Sequence, residues 1–456
     1  MWKKNDEIRM AITDLTDEGS GVGHADGCAV FVKDTVPGDA GTVRIIKAKK
    51  NYAYGIMTRL ETASDWRVPS ACPVSGPCGG CQLCHVAYDK QLAWKQQKVK
   101  NCLERIGGLK GIEVLPVLGM DEPWHYRNKA QYPVGYDREG RLTAGFYAGH
   151  SHRIVPNEDC RIQDERSNRI RGLVLSWMEE HRISAYDEET SKGLVRHIIV
   201  RVGAATGEIM TGLVVNGTKL PAAEDLIERL RTVPGMTSVC LNINRERTNV
   251  ILGRDVRVLW GRPYITDRIG DVSYRISLLS FYQVNPAQTQ KLYRTALDYA
   301  GLTGNETVWD LYCGIGTISL FLARRAKQVC GVEIVEAAVA DAAENAALND
   351  IRNAEFFAGA AEDVLPAKYR ESGGAMRADV IVVDPPRKGC DQALLDTIVK
   401  MEPKRVVYVS CDPATLARDL KYLCANGFRV EKVQPCDMFP QSVHVECVVL
   451  MSRTDK

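Results

Sequence analysis

The sequence predicts an α/β protein in three parts: a small OB-like N-terminal β-barrel, a central α+β region, and a C-terminal sheet of the Rossmann type. Three observations predict it. Residues 6–61 hold short apolar runs at roughly ten-residue spacing, broken by Gly and Asp turns. Residues 115–280 hold strand-like runs separated mostly by Gly or Asn turns. From Gln283 onward, apolar runs alternate with helical stretches, the grammar of a parallel sheet wrapped by helices. The divisions drawn on this basis are 1–61, 62–280 and 281–456. A chain of 456 residues, 45% hydrophobic and 25% charged, suits a globular protein of two or three domains.

In the first part, residues 8–12 alternate, residues 18–23 form a turn-rich loop, and residues 29–32 and 40–47 are strands separated by Pro37-Gly38-Asp39. Residues 66–81 are rich in Pro, Gly and Cys and lack periodicity. A helix is predicted over about 83–106, with Leu92, Val99, Leu103 and Ile106 on its apolar face and Gly107-Gly108 ending it. It is expected to pack on the C-terminal domain. The central strands fall at 129–134, 194–202, 208–215, 238–243 and 272–278, with a helix near 164–180, and suggest an antiparallel sheet. The C-terminal strands fall at 308–311, 329–332, 380–383, 406–409 and 445–451.

Net charge is only +2, so a nucleic-acid surface would have to be local. Residues 44–50 and 90–110 are basic patches, the second with six Lys/Arg against the single acid Glu104; a solvated face is the plainer reading of either. Residues 1–7 have no apolar core, and no run of 18 apolar residues occurs, so neither a secretory leader nor a membrane span is expected. A cytoplasmic setting is the expectation, with the fifteen cysteines reduced, metal-bound or catalytic.

The first chemical motif is Asp310-Leu311-Tyr312-Cys313-Gly314-Ile315-Gly316. A strand ends there, and glycines let a ligand approach the backbone. Glu333 ends the next strand, 19 residues after Gly314, where an acid can bond ribose hydroxyls. The dinucleotide third glycine and the P-loop lysine are both missing, which favours S-adenosylmethionine over NAD or ATP. Asp384-Pro385-Pro386-Arg387 follows a strand and faces the same crevice. Arg387 stands where amine methyltransferases place an aromatic, which argues against an amino-group target.

Cys411 follows the strand 406–409, just before a helix whose N-terminus would stabilise a thiolate. A thiol beside a methyl-donor site suggests addition to C6 of a pyrimidine, which activates C5 for methylation. A base must then remove the C5 proton, and Glu446, opening the last strand, is placed to do so. Taken alone, Cys411 reads as a buried small hydrophobe and Glu446 as a surface acid; the set carries the inference. Cys72, Cys78, Cys81 and the distant Cys160 form a four-thiol set, which suits zinc or an iron–sulfur cluster. Cys84 and His85 leave a zinc knot open.

Over essentially its whole length the chain resembles the bacterial RNA 5-methyluridine methyltransferases, specifically the iron–sulfur enzymes that act on uracil C5 of 23S ribosomal RNA. The resemblance rests on Ser280-Phe281-Tyr282-Gln283-Val284-Asn285, on Asp384-Pro385-Pro386-Arg387, on Cys411 and on Glu446. It implies a TRAM barrel for RNA over residues 6–61. It implies a 4Fe–4S cluster on Cys72, Cys78, Cys81 and Cys160, and places Gln283, Tyr312, Gly314, Glu333 and Asp384 at the S-adenosylmethionine site. Cys411 falls at the nucleophile and Glu446 at the base. Residues 125–129 resemble a segment beside the RNA, with no chemical role assigned. Cys84 departs from the pattern. The implied partner is RNA, with neither DNA nor membrane. The alternatives are a transfer-RNA uracil-C5 methyltransferase and a non-catalytic iron–sulfur RNA-binding protein.

Overall fold

The computed structural model describes residues 2–454. Five strands close the N-terminal barrel: β1 (Glu7–Leu15), β2 (Gly21–Ala25), β3 (Cys28–Lys33), β4 (Ala40–Ala48) and β5 (Tyr52–Thr62), in the order β1-β2-β3-β5-β4. Period-two alternation builds the wall, turning Met10, Ile12, Val30, Val32, Val43 and Ile45 into the buried interior. Residues 21–23, expected in a loop, are strand. Their glycines serve close approach: a Cβ on Gly21 would lie 2.1 Å from Thr35 Oγ1, and one on Gly23 would lie 2.4 Å from the Ala11 carbonyl oxygen.

The helix expected from residue 83 starts later, as α1 (Tyr88–Arg105). Residues 83–87 turn instead. Val86 N donates to Leu83 O at 2.9 Å, and the Gln91 side chain donates to both Leu83 O and Val86 O. Ile106, expected on the apolar face, is 45% exposed. The buried face is Gln91, Trp94, Lys95, Val99 and Leu103, and the last two of these enter the core of the C-terminal sheet.

The central region holds β6 (Lys129–Tyr136), β7 (Leu142–Tyr147), β8 (Ile154–Pro156), α2 (Glu165–Glu180), β9 (Val195–Val202), β10 (Ile209–Val215), α3 (Ala223–Arg231), β11 (Met236–Ile243) and β12 (Asp255–Gly261). Its seven strands run in the order β12-β11-β10-β9-β6-β7-β8. The expectation of an antiparallel sheet needs correction: β10 and β11 are parallel, because α3 crosses over between them. β9 and β10 are buried along their whole length. One face packs on α2 and α3, and Ile199, Met210 and Val214 on the other face join the C-terminal core. The hairpin of β13 (Tyr264–Ile269) and β14 (Val272–Ser277) and the helix α4 (Pro286–Ala300) share that core.

The C-terminal part contains β15 (Thr307–Leu311), α5 (Thr317–Ala323), β16 (Gln328–Glu333), α6 (Glu336–Leu348), β17 (Ala354–Ala358), α7 (Ala361–Glu371), β18 (Val380–Val383), α8 (Gln392–Met401), β19 (Arg405–Ser410), α9 (Pro413–Ala425), β20 (Phe428–Cys436) and β21 (Glu446–Arg453). The strand order is β17-β16-β15-β18-β19-β21-β20. The order reverses after β15, so the crevice beyond the strand ends opens between β15 and β18. The first five strands in that order are parallel, and β21 runs antiparallel to both β19 and β20. β17 and β20 were not expected. Charged residues interrupt β20, and only part of β17 is apolar, so neither shows a clean apolar run. Among the described residues no helix is long and apolar enough to cross a membrane.

Candidate active site

The turn after β15 is bent back onto β16. Tyr312 and Cys313 both donate their amides to Val332 O at 3.0 Å. That fold-back holds Tyr312 at φ 69°, a left-handed conformation that a bulky side chain rarely adopts. Gly314 follows at φ 55°, and a Cβ there would meet nothing within 4 Å. Glu333, at the end of β16, accepts from Gly314 N at 3.2 Å and from Val335 N at 3.0 Å. Its carboxylate is therefore fixed against the turn.

Beneath the turn lies Asp310, fully buried, to which the sequence alone assigns no role. Ser319 Oγ donates to its Oδ2 at 2.5 Å, while Oδ1 has no partner. Burial pushes this carboxyl up to about 7 against the pull of Ser319, and Asp384 and Glu333 add to the rise. The signal for it was an acid inside the apolar strand Val308-Trp309-Asp310-Leu311.

Gln283 is buried in the segment between β14 and α4. Its carbonyl accepts from Asn128 Nδ2 at 3.2 Å, and Asn128 N donates to Val284 O at 2.9 Å. Arg201, buried among strands, donates to the carbonyls of Leu278 (3.1 Å) and Ser280. Asn285 caps α4 by accepting from Gln288 N and donates to Met438 O at 3.1 Å. The segment is thus clamped from the central sheet on one side and from the loop before β21 on the other.

Asp384, Cys411 and Glu446 meet at the edge of the sheet. Asp384 follows β18, and its amide donates to Leu311 O at 3.4 Å. Cys411 sits between the end of β19 and Asp412, the N-cap of α9, whose Oδ1 accepts from Ala414 N and Thr415 N. Cys447 of β21 pairs with Ser410 of β19, so the neighbouring residues Glu446 and Cys411 fall side by side. Glu446 is 4% exposed, and its Oε2 has no partner.

Electrostatics tie the three together. Burial pushes the Cys411 thiol up to about 11, Glu446 and Asp384 push further, and Arg387 pulls it down. The expected stabilisation of a thiolate by the helix N-terminus is outweighed here, and the resting group is a thiol. Burial, with Asp384, pushes Glu446 up to about 8, and burial alone pushes Asp384 up to about 7. Acids crowd this crevice, and Arg387 is the cation that acts on the thiol beside them, an arrangement that fits a positively charged ligand. Tyr293 of α4 feels Asp384, Glu446 and Asp310 at once, and its hydroxyl bonds Thr317 Oγ1 at 3.0 Å.

The cysteines gather elsewhere. Among the described residues no group of three or more His, Cys, Asp or Glu side chains is arranged to hold a metal ion. The four thiols nevertheless act on one another. Cys81 and Cys78 push up Cys72 and Cys160, and Cys81 pushes up Cys78, behind burial in each case. Gly79 N donates to Tyr147 O at 2.9 Å, which seats the 72–81 loop on β7. Cys81 also makes a hydrogen bond with Cys84, so Cys84 is a neighbour of the set.

The reversed strand order, the glycine turn after the first strand and the fixed acid ending the second define a doubly wound protein with a nucleotide-cofactor crevice. The family model for tRNA (Uracil-5-)-methyltransferase matches residues 237–454, and the TRAM domain model matches residues 2–58. An uncharacterized RNA methyltransferase of Bacillus cereus is 52% identical over 455 residues, covering 100% of this chain and 98% of its own length. Another from Listeria monocytogenes is 48% identical over 451 residues, covering 99% and 98%. The crystal structure of Pyrococcus abyssi tRNA (uracil-54, C5)-methyltransferase in complex with S-adenosyl-L-homocysteine superposes with a TM-score of 0.76 at 28% identity, covering 97% of this chain and 100% of that one. The chain belongs to the S-adenosylmethionine-dependent RNA (uracil-5-)-methyltransferase family, with an N-terminal TRAM domain.

Proposed function

We propose that this chain methylates C5 of a uridine in 23S ribosomal RNA, with Cys411 as nucleophile and Glu446 as base. One observation carries the reading: a buried carboxylate with an unpartnered oxygen stands beside a thiol at the ligand edge of the sheet. Gln283, Tyr312, Gly314, Glu333 and Asp384 would hold S-adenosylmethionine, which supplies an electrophilic methyl on a positive sulfonium. The buried acids around the crevice fit that charge, and the open space at Gly314 fits the approach.

The target base must leave its stack to reach Cys411. The thiol, pushed up by burial and by its acidic neighbours, first loses its proton to solvent, which its partial exposure allows. The Cys411 sulfur adds to C6, and the C5–C6 electrons become available at C5. Once C5 carries a methyl, the Glu446 carboxylate takes the remaining C5 proton. The electrons re-form the C5–C6 double bond, and the Cys411 sulfur leaves. A carboxyl pushed up to about 8 is a stronger base than an exposed one, and a positive donor bound beside it would favour the ionised form that this step needs.

A 4Fe–4S cluster on Cys72, Cys78, Cys81 and Cys160 belongs to the same proposal. The soft donor set and the mutual influence of the four thiols support it. Its role would be structural. Gln82 N and Leu83 N donate to Gln441 O at 3.1 and 2.9 Å, so the cysteine loop braces the segment leading to Glu446. The cysteine set and the resemblance favour ribosomal RNA. The Pyrococcus neighbour supports transfer RNA as the alternative.

RNA carrying 5-fluorouridine tests the chemistry, because fluorine cannot be removed as a proton. The wild type should form a covalent adduct and Cys411→Ala should not. No adduct with an RNA that the enzyme methylates would overturn the reading. Mapping 5-methyluridine in total RNA of a deletion strain decides between ribosomal and transfer RNA.

A further inference from the structure

The outer wall of the barrel carries a feature that the reaction does not use. In the parallel pairing of β3 with β5, Phe31 lies opposite Tyr54 and Ala29 opposite Tyr52. Val30, Val32, Ala53 and Gly55, which alternate with them, fill the buried interior. The aromatic side chains therefore face outward, against the usual sense of a barrel wall. Tyr52 is 37% and Tyr54 41% exposed. The three rings contact one another, with centroids 5.8 Å apart for Phe31–Tyr52, and 5.7 Å for both Phe31–Tyr54 and Tyr52–Tyr54.

Basic groups surround them. Lys47 of β4 is paired with Tyr54, and Lys49 and Lys50 lie in the turn that leads into Tyr52. Lys33 ends β3 on the same face, and its ammonium donates to Gly76 O at 2.7 Å. Beyond Tyr52, Lys49 and Lys50 line a recess with Trp2 and Cys28; Asp26 is the acid of that lining. Exposed aromatic rings among lysines match one ligand chemistry: an unpaired nucleic-acid segment, whose bases stack on rings while its phosphates meet ammonium groups. A duplex hides its base faces and would gain only the second part.

We infer that Phe31, Tyr52 and Tyr54 form a stacking platform for an unpaired base of the RNA substrate, with Lys47, Lys49 and Lys50 on its phosphates. The inference rests on the reading of the chain as an RNA methyltransferase and deepens it. The enzyme selects RNA with an unpaired stretch beyond the target base, long enough to reach the barrel.

The test is binding of the full-length protein to two labelled probes, an unstructured oligouridylate and an RNA duplex of equal phosphate count. The double variant Tyr52→Ala, Tyr54→Ala should weaken oligouridylate binding at least about tenfold and leave duplex binding within about twofold. Tyr52→Phe with Tyr54→Phe should restore it, since the ring and not the hydroxyl stacks. Tyr52→Leu with Tyr54→Leu keeps apolar cover without a ring and should bind as weakly as the alanine pair. Lys47→Ala with Lys49→Ala should flatten the salt dependence for both probes. Equal oligouridylate binding by wild type and the leucine pair, at unchanged melting temperature, would overturn the platform. So would an equal loss of duplex binding. The readout is binding, so failure here leaves the methyl-transfer reading standing, and failure of the 5-fluorouridine test leaves the platform standing.

Discussion

Lys95 Nζ lies 2.6 Å from Asp437 Oδ1, and neither side chain has any exposure to solvent. Lys95 also donates to Phe439 O, and the Tyr88 hydroxyl donates to Asp437 Oδ2 at 2.9 Å. The pair locks α1 to the loop between β20 and β21. Removing one partner leaves the other charge buried alone. Lys95→Met should therefore cost about 3–5 kcal/mol in denaturant unfolding. Lys95→Met with Asp437→Leu should recover much of that loss, because a matched apolar pair has no charge to desolvate. A double variant no more stable than the single one would mean that the pair does more than compensate its own burial.

In the proposed mechanism Glu446 acts after the methyl has moved. Glu446→Gln keeps the shape of the side chain and loses the base. It should accumulate a covalent protein–RNA species with ordinary uridine, stable on a denaturing gel, while turnover falls by at least about a hundredfold. Release of product at the wild-type rate would assign the proton to another group.

The crowded acids make stability depend on pH. Asp310, Asp384 and Glu446 are each pushed up, to about 7, 7 and 8, from ordinary values of 3.8, 3.8 and 4.5. The folded state therefore holds protons that the unfolded chain releases. The stabilisation is fully present below the unfolded values and is lost as pH rises through the folded ones. Stability of the ligand-free protein should fall between about pH 4 and pH 8 and then level off. Glu446→Gln should flatten the upper part of that fall and unfold on the order of 3 kcal/mol later than wild type at pH 8. Urea midpoints across the range check the sign; a wild type that gains stability toward pH 8 contradicts it.

Protein purified without air should be brown and hold about four iron per chain, as a cubane cluster requires. Cys72→Ser, Cys78→Ser, Cys81→Ser and Cys160→Ser should each lose the colour, and Cys84→Ser should keep it. Loss of the cluster should lower the melting temperature and RNA binding together, since the loop braces Gln441. Colourless protein with stoichiometric zinc would replace the cluster with a zinc knot.

Much of this site is visible in the sequence because its chemistry sits at strand ends. Val308–Leu311 and Val380–Val383 are apolar runs that stop at a glycine turn or an acid, and β15 and β18 end where they do. The barrel segment 18–23 reads as a loop for a local reason: Gly21 and Gly23 look like turn residues, yet they are strand residues packed against Thr35 and Ala11. The ion pair of Lys95 escaped notice because its partner is 342 residues away, and a lysine in a basic helix looks solvated. Asp310 escaped because a buried acid announces itself only through its surroundings. The upward shift of the Cys411 thiol is likewise invisible in the sequence, since the helix N-terminus is local while the burial and the opposing acids come from the fold.

The antiparallel seat of β21 has a consequence for how the protein comes into being. That strand is wedged between β19 and β20, not added at the rim, and its first residue is the proposed base. A chain emerging from the ribosome folds its early segments first. The barrel and the cysteine loop can then take shape, and so can the glycine turn, while the proposed base is still unsynthesised. A nascent chain at that stage could hold RNA and donor and still be unable to release a methylated base. On that proposal, competence arrives only when residues 446–453 slide in and close the sheet.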